Sequence, residues 1–223
     1  MKKIVVISAH PDDEILGAGG TLLKHKKEGD IILWIIVTSM NESDGFSNER
    51  ILSRNDEIQK VSKEMKFDQV VQLNYPTCSL SGSSLKSLVS DISINFNKFE
   101  PQVIYCPNRS DAHSDHRIIF DAVISCTKSF RYPFIEKVLM YECISETEFA
   151  PALIEKVFLP NYFVNISNYL QKKLKVMSIY SSEIGEHPFP RSLKNIEALS
   201  IFRGASSGFQ NAEAFQLIFQ KIN

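Results

Sequence analysis

Short apolar runs alternate, through the first two thirds of the chain, with segments in which apolar residues recur every three or four positions. The runs predict strands, and they read KIVVISA, IILWIIVTS, QVVQL, QVIYCP and KVLMYE. The intervening segments predict helices over about 13–28, 47–65, 84–96 and 118–126. A continuously apolar run such as IILWIIVTS is typical of a strand that is covered on both faces. The alternation therefore predicts an α/β fold with a Rossmann-like, mostly parallel sheet and helices on both of its faces.

The last third of the chain has a different pattern. KVFLPNYFVNIS predicts a hairpin or edge strands, and it is followed by helical patterns near 168–182, 192–202 and 211–221. No linker-like composition separates this region from the rest. We therefore expect one domain over 1–223, with the C-terminal strands and helices packed on the same sheet.

Composition limits the range of functions. The chain has 223 residues and a formal net charge of -1, and it lacks the basic block that a nucleic-acid partner would require. The longest apolar run is much shorter than the roughly 20 residues of a membrane span, and no targeting segment is visible. The four cysteines form no C-x-x-C pair, which favours free thiols in a reducing compartment. We expect a cytoplasmic protein with no nucleic-acid partner.

Candidate chemistry begins in the segment SAHPDDEILGAGG. His10 ends the first predicted strand, and the acids Asp12, Asp13 and Glu14 open the following helix. Taken alone, these acids are well explained as helix-start residues, because carboxylates there satisfy free N–H groups and complement the helix dipole. The glycines at 17–20 lie inside the helical pattern, so close helix–sheet packing is a better interpretation than a phosphate loop.

A second cluster, PNRSDAHSDHR, follows the predicted strand QVIYC and carries His113, Asp115 and His116. A parallel sheet gathers such segments at the carboxyl ends of its strands, where the polar loops 38–50 and 74–84 would form the rim of a pocket. Histidine and carboxylate together suit zinc or a similar divalent ion. Three protein ligands would leave a coordination position open for water and substrate.

The combination of AHPDDE and HSDH resembles the PIG-L/LmbE-like family of metal-dependent de-N-acetylases, which act on N-acetylglucosamine conjugates. The resemblance extends over nearly the whole chain, through segments that read GAGGTLLKHKKEGDIILWIIVTS, RNDE, YFVNIS, KLKVMSIYSSE, HPFPRS and RGASSGFQNAEAF. One departure is Ser114, which stands where the second motif of the family often has proline. This position is not an expected ligand.

The resemblance implies a zinc site. His10, Asp13 and His116 would hold the ion, for which Fe(II) or another divalent metal could substitute. Asp12, which stands between two of these ligands, would act as the general base that takes a proton from the attacking water.

The resemblance also implies roles outside the ligand set. A protonated His113 would stabilise the oxyanion, and Asp115 would orient the His113 ring and favour its charged form. Arg54, in the segment RNDE, would contact substrate, although a surface salt bridge with a neighbouring acid is an equally good interpretation. His187, in the segment HPFPRS, is a weaker candidate for substrate binding.

The expected function is that of a zinc-dependent hydrolase that removes acetyl from an N-acetylglucosamine-type sugar or conjugate. Loops 38–50 and 74–84 are expected to select the aglycone, and a homo-oligomer is plausible because bacterial relatives form them. Two alternatives stay open. One is a metal-dependent phosphoesterase, which often uses two metals about 3.5–4 Å apart. The other is a non-catalytic carbohydrate- or nucleotide-binding module on the same scaffold.

Overall fold

A seven-stranded sheet forms the centre of the computed structural model, which describes residues 1–80 and 84–222. The strands are β1 Lys3–Ser8, β2 Ile31–Ser39, β3 Gln69–Pro76, β4 Val103–Pro107, β5 Lys137–Tyr141, β6 Tyr162–Asn165 and β7 Ala212–Gln220. Their order in the sheet is β3-β2-β1-β4-β5-β7-β6. The first five of these neighbours run parallel, whereas β7 runs antiparallel to both β5 and β6.

Helices cover both faces of the sheet. They are α1 Asp13–Lys27, α2 Asn48–Met65, α3 Leu85–Phe99, α4 Ser114–Ser125, α5 Leu170–Met177 and α6 Leu193–Ser207, with short 3-10 helices at Glu42–Asp44 and Ile154–Lys156. Ile4 and Val6 of β1 pack in one core with α1, α2, α5 and α6, while Val5 and Ile7 pack in a second core with α3 and α4. Alternate residues of these strands enter opposite cores, so the residues on both faces of each strand must be apolar. The predicted Rossmann-like architecture is confirmed.

The helix predicted near 211–221 is wrong, because AEAFQLIFQ forms strand β7. Its alanine, glutamate and glutamine residues suit a helix, and a short apolar run cannot be assigned from periodicity alone. In the fold, this segment is hydrogen-bonded to β5 on one side and to β6 on the other. Its register with β5 shifts between Val138 and Leu139. Phe215 then packs in the first core and Phe219 in the second. Tertiary pairing therefore overrides local preference.

The edge-strand prediction for KVFLPNYFVNIS is confirmed, whereas the hairpin alternative is not. β6 lies at the end of the sheet and pairs with β7, a strand that follows it by two helices, not with a neighbour in sequence. Within the described residues, no helix combines the length and the apolar character needed to cross a membrane.

Helix α1 is held close to the sheet by small residues. A Cβ atom on Gly17 would lie 2.2 Å from Cδ2 of Tyr141, and one on Gly20 would lie 2.7 Å from Cγ2 of Ile166. These distances are shorter than van der Waals contacts, so the packing interpretation of the glycines is confirmed. The helix can approach the sheet only because side chains are absent at these two positions.

A buried ion pair also fixes the position of this helix. Glu213 of β7 accepts hydrogen bonds from the backbone N–H groups of Gly20 (2.8 Å) and Thr21 (2.7 Å). Lys173 of α5 lies 2.7 Å from Glu213 and donates to the carbonyl oxygen of Leu16 at 2.8 Å. Because both charges are buried and paired, they restrict how far α1 can shift along the sheet. The acids at the start of α1 are therefore held in a defined place.

We expect Gly17→Ala to destabilise the protein by about 1–3 kcal/mol, because the added methyl group must displace Tyr141 from a packed core. The measurement is the free energy of unfolding in urea. Lys27→Ala, at the exposed end of the same helix, is the control and should change that free energy by no more than about 0.5 kcal/mol. Equal stability of the two variants would contradict the packing described above.

Candidate functional site

The site lies where the strand order reverses. β1 pairs with β2 on one side and with β4 on the other, and all three strands are parallel. The segments that follow β1 and β4 therefore leave the sheet side by side, at the crevice where open α/β sheets bind ligands. One segment carries His10 and the start of α1, and the other carries residues 108–116. The expectation that the two histidine motifs meet is confirmed.

His10, Asp13 and His116 form a compact cluster. Oδ2 of Asp13 lies 3.3 Å from Nε2 of His116 and 3.8 Å from Nδ1 of His10. One ligand atom from each residue lies within 4.8 Å of the other two, which is close enough to hold a metal ion. Nε2 of His10 and Nε2 of His116 are both buried, and neither has a hydrogen-bond partner within the described residues. Buried polar atoms of this kind are costly unless a ligand satisfies them, so the donor set fits a zinc-type cation.

Asp111 supports this cluster and was missed by sequence reasoning. Its Oδ2 lies 2.8 Å from Nδ1 of His116, and its Oδ1 accepts hydrogen bonds from Asn108 (2.9 Å) and Thr147 (2.7 Å). Burial opposes a charge on His116, but Asp13 and Asp111 on either side raise its pKa well above the ordinary value. Asp111 could have been found from chemistry, because a histidine that binds metal usually has a carboxylate hydrogen-bonded to its other ring nitrogen.

The Asp13 carboxylate is fixed by short local contacts. It accepts hydrogen bonds from the backbone N–H of His10 (2.9 Å) and from the thiol of Cys143 (3.3 Å). Burial favours the neutral acid, but the charges of His116 and His10 outweigh it and hold the pKa of Asp13 well below its usual range. Asp13 is therefore an anion at neutral pH, and it faces two imidazole rings.

Asp12 has a strained backbone and a buried carboxyl group. Its φ angle is 135°, in a region that residues with side chains rarely adopt. Its N–H donates to Glu14 (3.1 Å), and Tyr180 donates to the other oxygen of Glu14 (2.7 Å). Glu14 is thus the supporting residue that the helix-start pattern suggested, and burial raises its pKa to about 8. Burial, followed by the charges of Asp13 and Glu183, raises the pKa of Asp12 well above its usual value.

The structure revises the expected relation between Asp115 and His113. The Asp115 carboxylate accepts hydrogen bonds from the N–H groups of Cys78 (2.9 Å) and Leu80 (3.3 Å), and it lies 3.4 Å from Nε2 of His10. It is 3.9 Å from Nδ1 of His113, which instead accepts the backbone N–H of Asp115 at 3.1 Å. The backbone of Asp115, not its carboxylate, therefore orients the ring.

The charge expected on His113 also changes. Burial, together with the charges of His10 and His116, lowers the pKa of His113 to about 4. Because Nδ1 accepts a hydrogen bond, the proton of the neutral ring lies on Nε2, which faces the site beside Cys78 at 3.5 Å. His113 therefore offers a neutral N–H donor and not the imidazolium that sequence reasoning predicted.

A cavity of about 430 Å³ opens over the cluster. Its lining includes four residues of the predicted site, which are His10, Asp12, Asp13 and His113. The loops predicted to form the rim supply further residues, which are Thr38, Ser39, Met40, Asn41, Phe46, Arg50, Asn74, Thr77 and Cys78. Residues 81–83 of the predicted 74–84 loop lie outside the described residues. Described residues of both loops line the cavity, so the expectation that both loops border the pocket is confirmed.

Arg54 and Arg191 line the cavity, whereas His187 does not. Arg54 is buried and donates to the carbonyl oxygen of Pro11 (3.0 Å), and its guanidinium also pairs with Glu183. Arg191 contacts the other carboxylate oxygen of Glu183 at 3.1 Å. The surface salt bridge considered for Arg54 is therefore a buried network. In the segment HPFPRS, Arg191 lines the cavity, whereas His187 is exposed and is not part of the lining.

Comparison with known proteins gives a consistent family assignment. The model of the family described as "PIG-L: GlcNAc-PI de-N-acetylase" matches residues 5–127. The diacetylchitobiose deacetylase of Thermococcus kodakarensis is 22% identical over 225 residues, which cover 98% of this chain and 84% of that protein.

Solved structures show the same fold. The N,N'-diacetylchitobiose deacetylase of Pyrococcus horikoshii, solved with an inhibitor, superposes with a TM-score of 0.77 at 20% identity, covering 97% of this chain and 84% of that one. GalB, the 4-carboxy-2-hydroxymuconate hydratase of Pseudomonas putida KT2440, has a TM-score of 0.76 at 15% identity and covers 100% and 98% of the two chains. Because a deacetylase and a hydratase share this fold, the fold does not fix the reaction.

We expect Asp111→Ala to weaken the affinity for Zn²⁺ by about 10- to 100-fold, because the His116 ring loses the carboxylate that fixes its tautomer and orientation. Equilibrium dialysis against a competing chelator measures the affinity directly. Asp121→Ala, which removes an exposed acid from α4, is the matched control and should bind Zn²⁺ as the unmodified protein does. Unchanged affinity in Asp111→Ala would contradict the supporting role of Asp111.

Proposed function

The chain belongs to the PIG-L family, described as GlcNAc-PI de-N-acetylase, and on that premise we propose that it is a metal-dependent hydrolase that removes acetyl from an N-acetylglucosamine-type sugar or conjugate. One observation carries the proposal. Nδ1 of His10 and Nε2 of His116 converge on Oδ2 of Asp13 beside a cavity, and the carboxylate of Asp12 borders the same cavity. This arrangement provides a cation site and a candidate base next to a space for substrate.

His10, Asp13 and His116 would hold the ion. Two imidazoles and a carboxylate suit zinc, and Fe(II) is the alternative because geometry and availability decide the choice between divalent metals in cells. When bound, the ion supplies Lewis acidity to the acetyl carbonyl and lowers the pKa of water.

Asp12 would take the proton from the attacking water and later deliver one to the departing amine. A carboxylate with an ordinary pKa is a weak base, whereas burial and the neighbouring anions raise the pKa of Asp12 well above its usual value. The contacts from Glu14 to the Asp12 backbone keep the group at the cavity despite its unusual φ angle. These features favour Asp12 as the general base.

His113 would donate a hydrogen bond from Nε2 to the oxyanion of the tetrahedral intermediate. The hydrogen bond at its Nδ1 places the proton on the nitrogen that this role requires. Loss of one such donor typically reduces the rate by about 100- to 1,000-fold. Asp115 would act on His10 and on the ring of His113 through its backbone, and Arg54 would shape the substrate cavity through its pairing with Glu183.

We further propose that residues 1–223 act as one catalytic domain, since β1 and β7 belong to the same sheet. The substrate would be a small N-acetylated sugar, as the name of the diacetylchitobiose deacetylase suggests. The four cysteines are unpaired, which supports a cytoplasmic location.

We expect Asp12→Ala to bind metal normally but to lose most of its turnover, because the ligands stay in place while the base is removed. Acetate release from a panel of N-acetyl sugars, with and without a chelator, measures turnover, and elemental analysis measures bound metal. His10→Ala should instead lose metal. Glu49→Ala removes an exposed acid from α2 and serves as the control. Full activity of Asp12→Ala would show that the base is another group.

The same panel separates the rival functions. Release of phosphate from phosphate esters, without acetate from any N-acetyl sugar, would replace the proposal with a phosphoesterase. Tight sugar binding in the presence of metal, without hydrolysis, would replace it with a binding module.

A further inference from the structure

The peptide bond between Pro11 and Asp12 is held at both of its polar ends. Its N–H group, which belongs to Asp12, donates to Oε2 of Glu14 at 3.1 Å. Its carbonyl oxygen, which belongs to Pro11, accepts a hydrogen bond from Nη1 of Arg54 at 3.0 Å. Because a peptide group is planar, hydrogen bonds at its two opposite ends fix the orientation of the whole plane. Rotation of this plane changes the φ angle of Asp12, so the two bonds hold that angle at 135°.

Tyr180 joins the two side chains that hold this peptide. Its hydroxyl donates to Oε1 of Glu14 at 2.7 Å, and the Arg54 guanidinium lies over its ring, 5.5 Å from the centroid. Glu14 and Tyr180 are fully buried, and Arg54 is 6% exposed. We name Glu14, Arg54 and Tyr180 the peptide clamp. Its members come from α1, from α2 and from the segment after α5, so three parts of the chain meet at one peptide bond.

The Arg54 guanidinium is directed at the protein. Nη1 donates to Pro11, Nη2 donates to Ser182 at 3.1 Å and contacts Glu183, and Nε lies 3.4 Å from the carboxylate of Glu57. All three nitrogens therefore have partners in the chain, although Arg54 borders the cavity. These contacts favour a role in holding the backbone over a role in binding substrate.

The conformation of Asp12 needs this support. A residue with a side chain rarely adopts a φ angle of 135°, and such strain persists only where the surrounding contacts over-determine it. A change in this angle would turn the carboxyl group of Asp12 relative to the neighbouring ligand Asp13. A displacement of about 1 Å between reacting groups can cost about 100-fold in rate. The φ angle of Asp12 therefore matters for the chemistry of the site.

We propose that the peptide clamp positions the Asp12 carboxyl group for proton transfer, and that Arg54 is a positioning residue and not a substrate ligand. This inference rests on the proposed function, in which Asp12 is the general base. The clamp acts through the backbone, so its members need no contact with substrate or with the cation. Loss of one member should therefore lower kcat and leave KM and the affinity for Zn²⁺ almost unchanged.

The test uses two variants. Tyr180→Phe removes the hydroxyl that fixes Glu14 but keeps the ring beside Arg54. Arg54→Lys keeps the charge but replaces the planar fork with a flexible ammonium group. Acetate release from the N-acetyl sugar that the unmodified enzyme deacetylates fastest gives kcat and KM, and equilibrium dialysis gives the affinity for Zn²⁺. We expect kcat to fall by about 10- to 100-fold in each variant, whereas KM and the affinity for Zn²⁺ change by less than about threefold.

Tyr132→Phe is the matched control. It also removes a tyrosine hydroxyl, which donates to Ser93 at 2.8 Å, but Tyr132 is not part of the described cavity lining. This variant should keep the kcat of the unmodified enzyme.

Substitutions of Glu14 separate the hydrogen bond from a general structural effect. Glu14→Gln keeps a carbonyl oxygen that can accept the N–H of Asp12, so kcat should stay within about fivefold of the unmodified value. Glu14→Ala removes the acceptor and should lower kcat by about 10- to 100-fold. Because Glu14 and Arg54 hold the same peptide, Glu14→Ala combined with Arg54→Lys should cost little more than the worse single variant.

Three results would show that the peptide clamp is wrong while the proposed function stands. They are a raised KM at unchanged kcat in Arg54→Lys, which would make Arg54 a substrate ligand, loss of Zn²⁺ from Tyr180→Phe, and unchanged kcat in both variants. If the unmodified enzyme releases no acetate from any N-acetyl sugar, the peptide clamp and the proposed function are both wrong.

Discussion

The Asp13 carboxylate and the His116 imidazole lie 3.3 Å apart across the crevice, and this contact joins the two halves of the site. The two residues are about a hundred positions apart, and they meet because β1 and β4 are adjacent parallel strands. Bringing a buried carboxylate against a buried imidazole is costly unless each has further partners. Much of the surrounding structure supplies those partners.

Hydrogen bonds from neighbouring residues support the cluster. Asp111 occupies the far nitrogen of His116, Glu14 holds the backbone of Asp12, and the amides of Cys78 and Leu80 hold Asp115. These contacts come from the segments that follow β1, β3 and β4, so several parts of the sheet edge hold the side chains of the site in position. A site of this kind keeps its geometry before substrate arrives, which is how preorganised groups reduce the barrier of a reaction.

Sequence patterns predict this fold well where local and tertiary signals agree. The strands β1, β2, β4 and β5 carry continuous apolar runs, and both histidine motifs follow strands, so their convergence could be predicted. β7 could not, because its helical composition is overridden by pairing with two strands that lie far from it in sequence. The site was incompletely predicted for a related reason. The contacts of Asp111 and Arg191 depend on the direction of each side chain within its loop, and so does the exposure of His187. The spacing of residues in the sequence does not predict that direction.

We propose that folding creates one cation site from His10, Asp13 and His116. X-ray absorption of the zinc-loaded protein, at one ion per chain, identifies the atoms that bind the ion. We expect imidazole scattering from two histidines and nitrogen or oxygen ligands at about 2.0–2.2 Å, without sulfur. Sulfur at about 2.3 Å, from a thiol such as Cys78 or Cys143, or the absence of imidazole scattering, would contradict it.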